Sequence, residues 1–399
     1  MNPLKKIYCR LYQTGFRIAM PFLPYRKPLI LHDVTELPKT LRENGCKHPM
    51  LVTDKSIVAH GLTDALTDAL ARANMPYTLF DDTVPNPTSD VIEEGVRRYK
   101  ASGCDSFIGF GGGSPIDTAK AIGACIARPD RTLNQLTGNL RVHAKLPYLA
   151  AVPTTAGTGS EVTLAAIITD SKTRHKRAMN SFSLLPKCAV LDPRLTVTLP
   201  RHLTSTTGVD AMTHAIEAYI GQSTTKETRA EALEAVKLIF ENVERAYNDG
   251  TDLTARANML QAAFLAGDAF TKSYVGYVHA VAHSLGGQYN TPHGLANAVL
   301  LPIVLEEYGA CAWKKLRQIA DYASISAPGD TDEVAAKKLI AAIRDLNRRM
   351  DIPEKLTGIK EEDLPLLTRN ADKEGNPLYP VPTLWDAKQL EIIYRKVMA

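Results

Sequence analysis

Ser106-Phe107-Ile108-Gly109-Phe110-Gly111-Gly112-Gly113-Ser114-Pro115-Ile116 is the stretch on which the organisation of this chain turns. Residues 106–110 read as a buried strand, and Ile116 onward reads as a helix. Between them, three glycines let the backbone approach a ligand closely. Ser114 suits a helix N-cap and Pro115 the first helical position. The unpaired N–H groups and positive end of such a helix attract an anion, ideally a phosphate. A plain tight turn would carry the same glycines, so the signal is the sum of strand, loop and capped helix. The spacing is not G-x-G-x-x-G, and the loop follows the third strand candidate rather than the first. An ordinary Rossmann dehydrogenase is thereby disfavoured.

Working outward, residues 50–54 (MLVTD), 77–80 (YTLF) and 148–152 (YLAAV) are further strand candidates, with amphipathic stretches at 62–73 and 90–101. This alternation predicts a parallel sheet with helices on both faces. After about Pro200, long helical patterns at 208–220, 226–247, 252–270 and 334–349 take over, without a convincing strand. The expected division is an N-terminal arm (1–28), an α/β nucleotide-binding domain (29–200) and an all-helical domain (201–399).

Two further features point to a dinucleotide. The loop Pro153-Thr154-Thr155-Ala156-Gly157-Thr158-Gly159-Ser160-Glu161 follows the fourth strand candidate, and its hydroxyls could hold ribose or phosphate. Asp54 ends the first strand candidate. A carboxylate there would accept from an adenosine ribose and repel a 2′-phosphate, which favours NAD over NADP.

The helical half carries a metal-type pattern. Asp210 and His214 are four apart and share a helix face, and His279 and His283 repeat the spacing. Pro292-His293-Gly294 adds a fifth candidate. A lone histidine is usually a hydrogen-bonded core residue, but two such pairs and a neighbour are a constellation. One carboxylate with imidazoles suits Fe²⁺ or Zn²⁺. Spacing alone leaves open whether His279 or His283 is the ligand.

Composition narrows the function classes. A net charge of +4 over 399 residues carries no concentrated basic footprint for nucleic acid. Six scattered cysteines, none in a C-x-x-C pair, read as a reduced cytoplasmic protein. No apolar run reaches the ~18 residues of a membrane span. Lys5, Lys6, Arg10, Arg17, Arg26 and Lys27 precede the first acid, Asp33. Leu4, Ile7, Leu11 and Ile18 could share a face there, as a membrane-surface helix or, the preferred reading, as an arm docked on the fold.

At these residues the chain resembles the iron-containing (group III) alcohol dehydrogenases. The matching motifs are the run from Gly111 to Lys120, Pro153 to Glu161, Gly208 to Tyr219, and His279 through Asn297, in the family's order and separation. The resemblance implies a Rossmann-like dinucleotide-binding domain followed by a helical metal-binding domain, in a dehydroquinate synthase-like architecture with the active site in the cleft. It assigns Asp210, His214, His279 and His293 as metal ligands, and places His283 near the nicotinamide as the catalytic proton relay. Cofactor contacts map to Asp54, Gly112, Gly113, Ser114, Thr154, Thr155, Thr158 and Lys176. The implied reaction interconverts small primary alcohols and aldehydes, with NAD and a metal acting as Lewis acid on the substrate oxygen. A homodimer or larger homo-oligomer is typical of the family. The alternatives on the same fold are a hydroxyacid–oxoacid transhydrogenase or another polyol or aldehyde reductase. A sugar-phosphate cyclase would need a basic cluster near the metal motifs, which the sequence lacks.

Three stretches depart from the family pattern: the long N-terminal arm, the bulky segment 270–277, and the extended, cysteine-free segment 370–382. Phe270, Tyr274 and Tyr277 are spaced i, i+4, i+7, so one continuous helix would align them. They would then either line a narrow substrate pocket or pack the helical core.

Overall fold

The computed structural model describes residues 1–171 and 176–399. The chain forms two compact units: Pro24–Thr198, and Leu199–Ala399 together with Met1–Leu23.

The first unit is α/β. Its strands are β1 (Leu29–Leu31), β2 (Pro49–Val52), β3 (Thr78–Phe80), β4 (Ser106–Gly111), β5 (Gly138–Asn139), β6 (Tyr148–Pro153), β7 (Ala165–Thr169), β8 (Lys176–Asn180) and β9 (Cys188–Val190). Six of them form a parallel sheet in the order β1-β9-β6-β4-β2-β3. β4 is buried at every position, as a parallel strand covered on both faces must be. Alternate residues feed two cores. Met50, Val52, Phe80, Phe107 and Leu149 face one, while Leu51, Ile108, Phe110, Ala150 and Val152 face the other. The chain leaves β2 for β3 on one side and returns as β4 on the other. The strand order therefore reverses at β2 and β4, and ligands of open α/β sheets bind beyond the carboxyl ends at such a point. A small second sheet has the order β5-β8-β7, with β7 and β8 antiparallel.

Two details correct the sequence reading. β1 precedes the other strands, so the glycine loop follows the fourth strand in chain order. β1, β5, β7, β8 and β9, each two to five residues long, are additional to the strands expected from the sequence. The helix after the loop also begins earlier than expected, at Gly113 with Gly112 as its N-cap, so Ser114 lies inside the first turn. Gly111 makes this early turn with φ +144°, where a Cβ would stand 2.6 Å from Pro115 Cγ.

The second unit is helical, and among its described residues no named strand occurs. The helix Arg201–Ile220 is buried all round from Gly208 onward, which marks it as the centre of its unit. Thr225 and Asp252 cap the helices Lys226–Asn248 and Leu253–Ser273 with their side chains. The expected continuous helix through Phe270, Tyr274 and Tyr277 is not observed. One helix stops at Ser273, Tyr274 turns out with φ +61°, and Tyr277 opens the next helix, Tyr277–Tyr289. The physical reason is Glu217, whose carboxylate accepts from the Gly276 and Val278 N–H groups at 2.8 Å each and captures the new helix start.

The amino-terminal residues form the helix Pro3–Ala19, capped by Asn2 with Pro3 in its first turn. It packs onto the helical unit through buried Cys9 and Gln13, while Leu4, Ile7, Tyr8, Leu11 and Ile18 are exposed. Among the described residues, no helix is long and apolar enough to cross a membrane.

Candidate active site

Asp210 and His214 project one turn apart from the central helix Arg201–Ile220, His279 comes from Tyr277–Tyr289, and His293 opens the helix His293–Tyr308. One donor atom from each lies within 4.8 Å of the others. His279 Nε2 and His293 Nε2 stand 3.9 and 3.6 Å from Asp210 Oδ1. Asn297, one turn past His293, turns its amide nitrogen to Asp210 Oδ1 (2.6 Å), His293 Nε2 (3.1 Å) and His279 Nε2 (3.2 Å). Its two hydrogens thus face three acceptors. Lone pairs converging this way in a buried place repel one another unless a proton donor or a cation lies among them.

The layer behind these groups sets their orientation. Glu217 Oε2 is 2.6 Å from His279 Nδ1, with both side chains buried. The Asn297 amide nitrogen, which can only donate, faces Nε2, and this arrangement places the ring proton on Nδ1, toward Glu217. Burial holds His279 well below the usual imidazole range, assisted by the neighbouring imidazoles His214, His293 and His283, so it is neutral. Burial also pushes the Glu217 carboxyl up to about 8, opposed by its backbone N–H donors. His214 lies between two rings, stacked on Phe270 at 4.2 Å and on His279 at 4.5 Å.

His283 stands apart from this set. Its Nδ1 is 2.6 Å from Glu374 Oε1, and its ring stacks on His293 at 5.1 Å between centroids. Of the two histidines that spacing left open, His279 turns Nε2 toward Asp210 and His283 turns Nδ1 toward Glu374. Tyr379 donates to the same Glu374 oxygen at 2.7 Å.

The three aromatic candidates part company. Phe270 covers His214. Tyr274 meets Phe16 edge-on at 4.8 Å. Tyr277 is fully buried, stacked on Trp385, and its hydroxyl bonds Asn376 and the Trp385 backbone, so it belongs to the core. A second acidic group, Glu227, Glu231 and Asp268, contains no imidazole, and Lys272 sits 2.7 Å from Asp268 and 3.5 Å from Glu227.

In the α/β unit, β4 and β6 are adjacent, so their two polar loops are neighbours. Gly112 and Gly113 lie against the second loop: a Cβ on them would stand 3.5 Å from Thr155 Cγ2 and 3.1 Å from Thr158 Cγ2. Thr154 N donates to Gly111 O at 2.9 Å. Asp54, just beyond β2, caps the short helix Lys55–Ala59 through Ile57 N at 3.0 Å. Asp54 and the glycine loop thus flank the point where the strand order reverses. Lys176 opens β8 half-buried, and burial lowers its ammonium pKa.

The end of the glycine motif has a structural task. Lys120 Nζ donates to the Thr163 and Ala165 carbonyls at 2.8 Å each, and Asp117 Oδ2 accepts from Ile167 N at 2.9 Å. Burial pushes Lys120 down to about 8 and Asp117 up to about 6. The two residues tie the helix Gly113–Ala127 to β7.

Sequence reasoning assigned no role to Glu217, Asn297 and Glu374. Two of these had a signal: Glu217 is three residues from His214 and Asn297 four from His293, so each shares a helix face with a candidate ligand. Glu374 reaches His283 across 91 residues, and no local spacing announces it.

The sequence pattern of the iron-containing alcohol dehydrogenases matches residues 31–193, and that of the Fe-containing alcohol dehydrogenase family's C-terminal region matches residues 204–398. The chain is 38% identical to a 1,3-propanediol dehydrogenase of Klebsiella pneumoniae over 356 residues, 88% of this chain and 92% of that one. It is 35% identical to an NAD-dependent methanol dehydrogenase of Bacillus methanolicus over 375 residues, 92% and 98% of the two chains. A crystal structure of a 1,3-propanediol oxidoreductase superposes with a TM-score of 0.90 at 36% identity, covering 94% of this chain and 99% of that one. The chain belongs to the iron-containing alcohol dehydrogenase family of oxidoreductases.

Proposed function

We propose that this enzyme transfers hydride between small primary alcohols or aldehydes and NAD, with Asp210, His214, His279 and His293 holding a divalent first-row metal, iron by preference. The observation that carries the reading is the convergence of one carboxylate and three imidazoles within 4.8 Å, with His279 locked by Glu217. Zinc would accept the same donors. When bound, the metal supplies Lewis acidity toward a hydroxyl or carbonyl oxygen, and the nicotinamide supplies or takes hydride. The chain's own groups do the rest. Glu217 orients His279. Phe270 gives the His214 side an apolar wall, which favours unbranched substrates over polyhydroxylated ones. His283, its Nδ1 committed to Glu374, moves the hydroxyl proton through Nε2. Six unpaired cysteines suit a reduced cytoplasmic setting, and a homodimer or larger assembly follows the family habit.

The direct test is NADH formation by anaerobically Fe²⁺-loaded protein given alcohol and NAD alone. Absorbance that rises with primary alcohols and is lost on chelation supports the reading. Exchange between a hydroxyacid and an oxoacid without net NADH would favour a transhydrogenase instead.

Cofactor choice is assigned to Asp54. Asp54→Asn keeps an acceptor for Ile57 N and removes the charge, which separates capping from recognition. The expected result is an NADP-to-NAD ratio of kcat/KM raised roughly tenfold, the worth of about 1.4 kcal/mol. A wild type that already uses both cofactors equally would remove Asp54 from this role.

A further inference from the structure

The segment between Gly375 and Ala387 is irregular and carries Pro377, Pro380 and Pro382. Four of its carbonyls find partners on the amino-terminal helix, while Pro380 O accepts from Gln222 N at 2.5 Å and Tyr379 O also accepts from Val381 N at 2.9 Å. Gln13, 3% exposed, donates through Nε2 to Pro377 O (3.1 Å) and Tyr379 O (2.7 Å). Arg10, nearly one turn earlier, donates to Val381 O (2.8 Å) and Pro382 O (3.0 Å), and also to Gln13 Oε1 (2.9 Å). Ion pairs hold both flanks: Lys5 with Asp372 at 2.8 Å, and the amino terminus with Asp386 at 2.5 Å. The held segment contains Tyr379, whose hydroxyl donates to the Glu374 oxygen that receives His283 Nδ1. An unbroken path therefore runs from the helix through Gln13, the Tyr379 backbone and Glu374 to His283.

We propose that the amino-terminal helix is a positioning element for the reaction: Gln13 and Arg10 order residues 377–382 so that Tyr379 and Glu374 hold His283 in its working orientation. This rests on the reading of His283 as the proton relay. A chain segment with no ladder of its own must satisfy its buried carbonyls elsewhere. Without Gln13, Tyr379 O keeps only the Val381 N–H and the segment loses its side-chain tie to the helix, so the Tyr379 hydroxyl that fixes the Glu374 rotamer shifts. Partners that orient a working side chain in this way are worth about 10–100-fold in activity.

The test uses the full-length, iron-loaded enzyme and four variants: Gln13→Leu, Glu374→Gln, their double mutant, and Leu11→Gln on the exposed face of the same helix. Gln13→Leu is expected to lower kcat about tenfold, with iron per chain and KM for NAD as in the wild type. Leu11→Gln should match the wild type. The double mutant should be no slower than Glu374→Gln alone, because both changes act on one path, whereas a general structural defect would multiply the losses. If Gln13→Leu fails to fold, Arg10→Met removes the neighbouring carbonyl contacts and takes its place. Wild-type kcat in the Gln13 or Arg10 variant, or multiplied losses in the double mutant, overturns the proposal. Wild-type kcat in Glu374→Gln together with His283→Ala would instead remove the relay reading beneath it.

Discussion

His293→Ala is expected to remove most of the bound iron and nearly all turnover while the chain remains folded. His293 is the first residue of its helix, preceded by Pro292, and its side chain is about one-third exposed, so its loss leaves no sealed cavity. The helix it opens is anchored further along by buried Asn297, Leu300, Leu301 and Leu305, which the substitution leaves in place. The donor set, by contrast, falls from four to three around one point. Weakening a partner behind a ligand already costs about 10–100-fold in metal affinity, and removing a ligand outright should cost more. Elemental analysis gives iron per chain, thermal denaturation gives stability, and NADH absorbance gives rate. Full iron occupancy with wild-type rate in this variant would show that His293 is not in the donor set.

His283→Ala should behave differently, keeping the metal and losing rate. Its Nδ1 is directed at Glu374 rather than at Asp210, so the four converging donors survive the change. General acid–base assistance is worth ~10²–10⁴-fold, and a kcat lowered by about that factor is expected. Iron content should equal the wild type's, and the KM for NAD should change little. Loss of the metal in this variant would move His283 into the donor set and displace His279, an exchange the short Glu217–His279 contact argues against.

The helical pairing shows why parts of this site were legible in advance. Asp210 with His214 and His279 with His283 lie one turn apart, and a fixed helical period converts such spacing into a shared face. The strand–glycine–helix signal from Ser106 to Ile116 is equally local. Its N-cap lies two residues earlier than expected, at Gly112 rather than Ser114, because Gly111 turns the chain early, a matter of backbone conformation that composition does not encode. The stripe of Phe270, Tyr274 and Tyr277 misled for the opposite reason. The period was present, but a carboxylate 59 residues away captured Gly276 N and broke the helix.

The sequence by itself determined the alternation that builds the parallel sheet, the switch to helices near Pro200, the phosphate-type loop, and the roster of metal-type side chains. All of these rest on periodicity or on short local motifs. Only the tertiary structure decided which imidazoles face Asp210, that Glu217 backs His279 Nδ1, that Tyr277 belongs to the core, and that Glu374 and the amino-terminal helix converge on His283. Those outcomes depend on hydrogen bonds between residues as far as 372 positions apart. Such contacts are chosen by how whole helices bury their faces against one another, and no local spacing carries that information.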